Sequence, residues 1–103
     1  MPKGYWIAHV TIDDPAAYDA YRAANAAPFA EYGARFLVRG GAQDVVEGEA
    51  RPRSVVIEFP SIEAARACYA SPAYQAAKAL RDPVSAADVL IVEGYDAAGN
   101  GGR

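Results

Sequence analysis

One cysteine, one histidine and no long apolar run set the first limits on this chain of 103 residues. A lone Cys68 excludes an intrachain disulfide and any multi-cysteine metal site. With only His9 beside it, a conventional zinc centre has too few ligands. A membrane-spanning helix needs about 20 consecutive apolar residues, and no run approaches that length. The start, MPKGYWIAHV, sets one lysine before a strand-like segment and does not read as a signal peptide. Basic clusters are missing as well. The 10 Lys and Arg are mixed with 13 Asp and Glu, for a net charge of −3. Arg51 and Arg53 form the densest basic pair, and Glu47 and Glu49 precede them. Such a chain carries no footprint for nucleic acid. The expectation is a soluble cytoplasmic protein with no nucleic-acid or membrane partner. No Ser/His/Asp motif, paired-carboxylate spacing, Walker loop or Rossmann fingerprint occurs.

What is present is enough for one core. The hydrophobic share is 52%, much of it alanine, so the large apolar groups carry the burial: Trp6, three Phe, seven Tyr and the aliphatic residues of the strands. A chain of this length buries roughly two-thirds of its surface on folding, without a metal or disulfide. A single domain is expected over residues 1–96. The tail AAGNGGR, residues 97–103, has nothing to bury and is expected to be flexible.

Residues 4–12 alternate as a strand. Trp6, Ala8, Val10 and Ile12 form an apolar face, and Tyr5, Ile7, His9 and Thr11 a wetter one. Asp13-Asp14-Pro15 is a helix start, with an acceptor for free N–H groups and a proline suited to the first helical position. Tyr18, Tyr21, Asn25, Phe29 and Tyr32 follow on one stripe. Pro28 predicts a kink or a fresh short helix, and Gly33 a stop. Residues 34–39 (ARFLVR) read as a second strand closed by Gly40-Gly41, and residues 42–52 as an excursion with a short irregular strand and a turn at Glu47-Gly48. Residues 53–59 read as a third strand. Ser61 caps a helix with Ile62, Ala65, Cys68 and Tyr69 inward. Ser71-Pro72 restarts it, with Ala73, Ala77 and Leu80 inward, and Arg81-Asp82-Pro83 ends it. Residues 84–87 read as loop and 88–95 as the fourth strand. The order is β-α-β-β-α-β, an α+β ferredoxin-like sandwich.

Two helices cover one face of such a sheet. The strands here are apolar on both faces, since Val56, Leu90 and Val92 alternate with Val55, Ile57, Val89 and Ile91. A monomer would expose a large apolar patch. Twofold packing on a second copy removes it, so a homodimer is the expected partner state.

The segments GYWIAHV, AAYDAYRAANAAPFAEYG, RFLVRGG, RSVVIEFPS, ACYASPAYQAAKALR and VLIVEGYD together resemble the domain-of-unknown-function family 1330, over about residues 3–96. The combination of FLVRGG, VVIEFPS and SPAYQAAKALR is what makes the resemblance specific. It implies a dimeric α+β barrel, in which two ferredoxin-like sheets close face to face. The wider superfamily includes cofactor-free monooxygenases, muconolactone isomerases, haem-binding enzymes and small stress-response proteins. The fold is implied strongly and the activity hardly at all.

Each candidate for chemistry has a plainer structural reading. His9 is a residue type that suits a general base, here on the wetter face; otherwise it is a hydrogen-bonded core or interface histidine. A lone histidine gives haem no second signal. Arg39 and Glu58 both read as strand residues facing the barrel interior, where they would bind a small oxygenated ligand or simply pair. These three are the candidate catalytic residues. Asn25, Tyr69 and Tyr74 are candidate ligand-binding residues: a polar hook in an aromatic stripe, and two phenols flanking Ser71-Pro72. Asn25 could instead satisfy backbone freed by Pro28, and the tyrosines could be core aromatics. Cys68 reads as a small buried hydrophobe. No cofactor and no metal are expected. Two functions stay open. One is a cofactor-free isomerase, lyase or monooxygenase acting on a small acidic or aromatic molecule. The other is a non-catalytic small-molecule-binding or stress-response dimer.

Overall fold

A computed structural model describes residues 2–96. The expected C-terminal tail lies outside the described residues. The elements are β1 (Gly4–Ile12), α1 (Pro15–Glu31), β2 (Arg35–Arg39), β3 (Arg53–Phe59), α2 (Ile62–Ala70), α3 (Pro72–Arg81) and β4 (Ser85–Glu93), with a 3-10 turn at Asp82–Val84 before the last strand. The strands form one antiparallel sheet in the order β2-β3-β1-β4. This is the α+β ferredoxin-like fold that the alternation of patterns predicts.

The helix starts follow the caps. Asp14 Oδ1 accepts from the Ala17 N–H at 3.1 Å, and Ser61 Oγ from the Ala64 N–H at 3.1 Å. Ser71 does two things with one hydroxyl. It accepts from the Tyr74 N–H at 3.2 Å, opening α3, and donates to the Cys68 carbonyl at 2.7 Å, closing α2. Gly33 follows α1 at φ +74, a left-handed conformation that glycine adopts without a Cβ clash.

Four local expectations need correction. Helix α1 runs through Pro28 to Glu31 as one element, so no fresh helix starts there, and Pro28 and Phe29 are both buried. Residues 41–52 contain no strand; Gln43 spans the excursion by donating to the Arg51 carbonyl at 2.9 Å. Strand β4 begins at Ser85, since residues 85–87 pair with Ile12, Thr11 and Val10 of β1, and that ladder outweighs the weak strand propensity of alanine. The inward face of α3 is Tyr74, Ala77 and Arg81, while Leu80 is 46% exposed. That register brings a tyrosine and an arginine inward where alanine and leucine were expected.

Trp6 is the centre of the core. Its ring meets Tyr74 at 4.8 Å, Phe29 and Phe59 at 5.3 Å each, and Tyr69 at 5.7 Å between centroids. Its Nε1–H donates to the Ala65 carbonyl at 2.9 Å, so the indole is buried with its polar atom satisfied. Gly4 lies against the Ser61 carbonyl and the Ile62 backbone, leaving no room for a Cβ. On the other side of the sheet, Leu90 and Val92 are exposed among the described residues, and no helix covers them.

Candidate functional site

The helices do not fill the space they enclose. A narrow pocket, open to solvent at its mouth, lies between the sheet and helices α1 and α3. Its floor is the helix-side face of the sheet: Trp6, Ala8 and Val10 of β1, Val55 and Ile57 of β3, Ala87 and Val89 of β4. Two of these are alanines, and their short side chains leave the void. Tyr18, Tyr21, Asn25 and Phe29 of α1 face it from one side, and Tyr74 and Arg81 of α3 from the other. The one-turn and two-turn spacing within α1 puts its four on a single stripe.

The α1 and α3 walls meet through hydroxyls. Tyr21 and Tyr74 approach oxygen to oxygen at 2.8 Å, and Arg81 Nη2 donates to the Tyr74 oxygen at 3.4 Å. Arginine carries only donors. Either hydroxyl can donate within the pair, and Arg81 also interacts with the Tyr21 hydroxyl. Whichever phenol donates, the proton of the other is not used within the pair. Arg81, 6% exposed, also lies 5.4 Å from the Tyr21 ring centroid. Burial raises the Tyr74 phenol far above its ordinary value, with Tyr21 adding to the shift, so Tyr74 is a neutral donor and not a base.

A second polar group is purely cationic. Arg22, Arg39 and Arg53 line the same pocket. Arg53 projects from β3 in phase with Val55 and Ile57. Its Nε is buried without a hydrogen-bond partner. Burial lowers its pKa, and the charges of Arg22 and Arg39 add to that. Arg39 reaches this side through a β-bulge. Arg35 pairs with Glu58 and Phe36 with Ile57, but the next pairs are Val38 with Val56 and Arg39 with Val55, so Leu37 is the extra residue. Strict alternation would have turned Arg39 to the open face. Instead its guanidinium lies 3.9 Å from the Phe36 ring centroid, on the helix side.

The candidate catalytic residues are therefore split. Arg39 is in the pocket, whereas Glu58 and His9 are on the open face, so the expected pairing of Arg39 with Glu58 is corrected. The cation beside Glu58 is Arg35 at 3.6 Å, and Tyr5 donates to its carboxylate at 3.1 Å. His9 Nδ1 contacts Ser54 Oγ at 3.2 Å, and that hydroxyl donates to Gln43 Oε1. Asn25, 4% exposed, and Tyr74 line the pocket; Tyr69 packs behind Trp6 and Tyr74 and does not. Cys68 is buried, its thiol pushed up to about 12 mainly by that burial. Among the described residues no cluster of His, Cys, Asp or Glu could hold a metal, and no helix is long and apolar enough to cross a membrane.

Sequence reasoning missed Arg22, Arg53 and Arg81 as site residues. Two left a signal. Arg53 is a charge in phase with the apolar face of its strand, and Arg81 lies seven residues, two helical turns, after Tyr74.

The DUF1330 model, a domain of unknown function, matches residues 3–95. The chain belongs to the DUF1330 family. No curated protein matches it. Among solved structures, this DUF1330 chain is similar to the RPA0582 protein of unknown function from Rhodopseudomonas palustris, at 16% identity and TM-score 0.73, covering 92% of this chain and 84% of that one. A putative antibiotic biosynthesis monooxygenase from Caulobacter crescentus is 15% identical with TM-score 0.64, covering 92% of each chain. SnoaB, a cofactor-independent oxygenase from Streptomyces nogalater, is 16% identical with TM-score 0.62, covering 97% of this chain and all of its own. At these identities the likeness shows a shared fold.

Proposed function

We propose that this DUF1330 protein is a cofactor-free enzyme acting on a small acidic or aromatic molecule held between its helices and sheet. The observation that carries the reading is the Arg81–Tyr74–Tyr21 cluster, which borders an apolar pocket and has one phenolic proton beyond its own pair. A ligand carbonyl or phenol oxygen beside the two phenols would gain negative charge when the ligand loses a C–H or O–H proton to water at the pocket mouth. A donor already aimed at that oxygen stabilises the charge without reorganising. Arg81 supplies the positive end of the chain through Tyr74. Isomerisation, a lyase step and oxygenation all pass through such an anion. SnoaB, described as a cofactor-independent oxygenase, lends the reading a neighbour of the same fold.

Asn25 and Tyr74 keep ligand-binding roles here, and Arg39, a catalytic candidate in the sequence, becomes a group that holds the ligand's charge. His9 and Glu58 would act only across the open face, inside the barrel that a second copy closes. A homodimer of that form is part of the proposal, supported by the apolar row Ile7, Val56 and Leu90 across three strands.

One observation favours the non-catalytic alternative. None of the residues lining the pocket is Asp, Glu or His, so the pocket has no evident general base. The two readings separate in one experiment. Metal-stripped protein is incubated in air with hydroxylated aromatic acids and their enolisable keto analogues, and product and oxygen uptake are followed. Turnover that Tyr21→Phe abolishes supports the enzyme. Saturable quenching of Trp6 fluorescence with no turnover of any compound would leave a binding module.

A further inference from the structure

We infer that Arg39 and Arg53, assisted by Arg22, form a carboxylate subsite, so that the pocket takes a carboxylic acid whose apolar body carries a second oxygen function toward Tyr21. This rests on the small-molecule reading above and narrows it to a substrate class.

Charge accounting leads to the subsite. No ion pair joins Arg39 or Arg53 to a carboxylate among the described residues, and Arg22 has only the exposed Asp19 at 3.6 Å. The acids nearby are engaged elsewhere. Glu58 meets Arg35 on the opposite face, Asp88 meets Arg51 at 2.9 Å, and Asp82 meets Lys78 and Arg81. Arg22 and Arg39 are exposed at the pocket rim, whereas Arg53 is half-buried with its Nε unpaired, a polar atom that is costly to keep unless an anion joins it.

Geometry sets what kind of anion. Arg53 sits opposite Val10 on β1, four residues along the backbone from the Trp6–Ile57 pair, about 13 Å at the usual strand rise, and its long side chain comes within electrostatic reach of Tyr18 and Tyr21. The Tyr74 ring meets Trp6 edge to face, which sets the phenol pair toward the Trp6 end. Between the two ends the floor is Ala8, Val55 and Val89, all apolar. A ligand that satisfies both ends is charged at one, apolar in the middle and oxygenated at the other. The guanidinium fork matches a planar carboxylate.

The test uses 4-hydroxyphenylacetate, its neutral amide, and 4-hydroxyphenyl phosphate as probes of the full chain. Binding is read from Trp6 fluorescence and from the shift in thermal midpoint. The expected result is acid binding at least tenfold tighter than amide, with Arg53→Met and Arg39→Met each erasing most of that preference while amide binding survives. Equal binding of acid and amide would overturn the subsite and leave the small-molecule pocket standing. The same holds for a preference that persists in both variants. Tighter binding of the phosphate would overturn the carboxylate assignment. No response to any probe in either readout would overturn the pocket reading and the subsite together. The two variants stand on different strands, so a folding defect in one leaves the other to decide.

Discussion

Tyr21 and Tyr74 join hydroxyl to hydroxyl at 2.8 Å across the gap between α1 and α3. The residues are 53 apart in the chain, and their contact ties the two helices that wall the pocket. Truncating it should be felt in stability as well as in binding. Tyr74→Phe leaves Arg81 Nη2 and the Tyr21 hydroxyl each short of a partner, which costs about 1–3 kcal/mol. Urea unfolding followed by Trp6 fluorescence would check it; an unchanged midpoint would remove the bond from the fold's support.

Two buried phenols, Tyr74 and Tyr18, predict the response to alkali. Burial raises Tyr74 and Tyr18 above their unfolded values near 10, so the unfolded chain releases these protons first. Their contribution is fully present below pH 10 and is lost as pH rises further, at up to about 1.4 kcal/mol per pH unit for each phenol. Stability measured at pH 8, 9, 10 and 11 should hold and then fall. Tyr74→Phe should flatten the descent. Equal slopes in the two proteins would show that other groups govern it.

Arg53→Met should stabilise the free protein. It removes a charge that is partly desolvated, short of one hydrogen bond and repelled by two neighbours. A gain of about 1 kcal/mol would raise the thermal midpoint by roughly 4–8 °C in a domain of this size. Such a gain alongside weaker acid binding would mark stability given up for a binding site. A lower midpoint in the variant would mean that Arg53 is a structural residue.

Leu90 is 53% exposed and stands opposite Ile7 on the uncovered face. Wild-type protein should elute with the mass of two chains by light scattering at micromolar concentration. Leu90→Glu should elute with the mass of one, because a charge would be buried against the apolar row of the other copy. A monomeric wild type would end the barrel proposal.

Much of this architecture could be read from spacing alone. Asp14, Ser61 and Ser71 mark helix starts because a side-chain oxygen can do at an N-terminus what no later residue does. The two faces of β1 follow from strict alternation from Gly4 to Ile12. The site was less legible, since it depends on departures from regularity. Leu37 breaks the alternation of β2, so Arg39 points opposite to what parity predicts. In α3, Ala73 and Leu80 look like the inward residues by hydrophobicity. Tyr74 and Arg81 take that place because each finds a polar partner inside. Asn25 was legible as a polar interruption of an aromatic stripe, and Tyr74 as a phenol beside Ser71-Pro72. Their convergence with arginines from four different elements was not, because no local pattern encodes which distant charges lack a counterion.

The extra residue at Leu37 also bears on how this protein could change over generations. Deleting that one codon would remove the bulge and still leave Arg39 on the helix side, because Phe36, Val38 and Arg39 already alternate against Ile57, Val56 and Val55. The pocket would keep its cation, and the sheet edge would lose only the exposed Leu37 side chain. A change in chain length by a single residue is thus one that this strand could absorb without moving its charge.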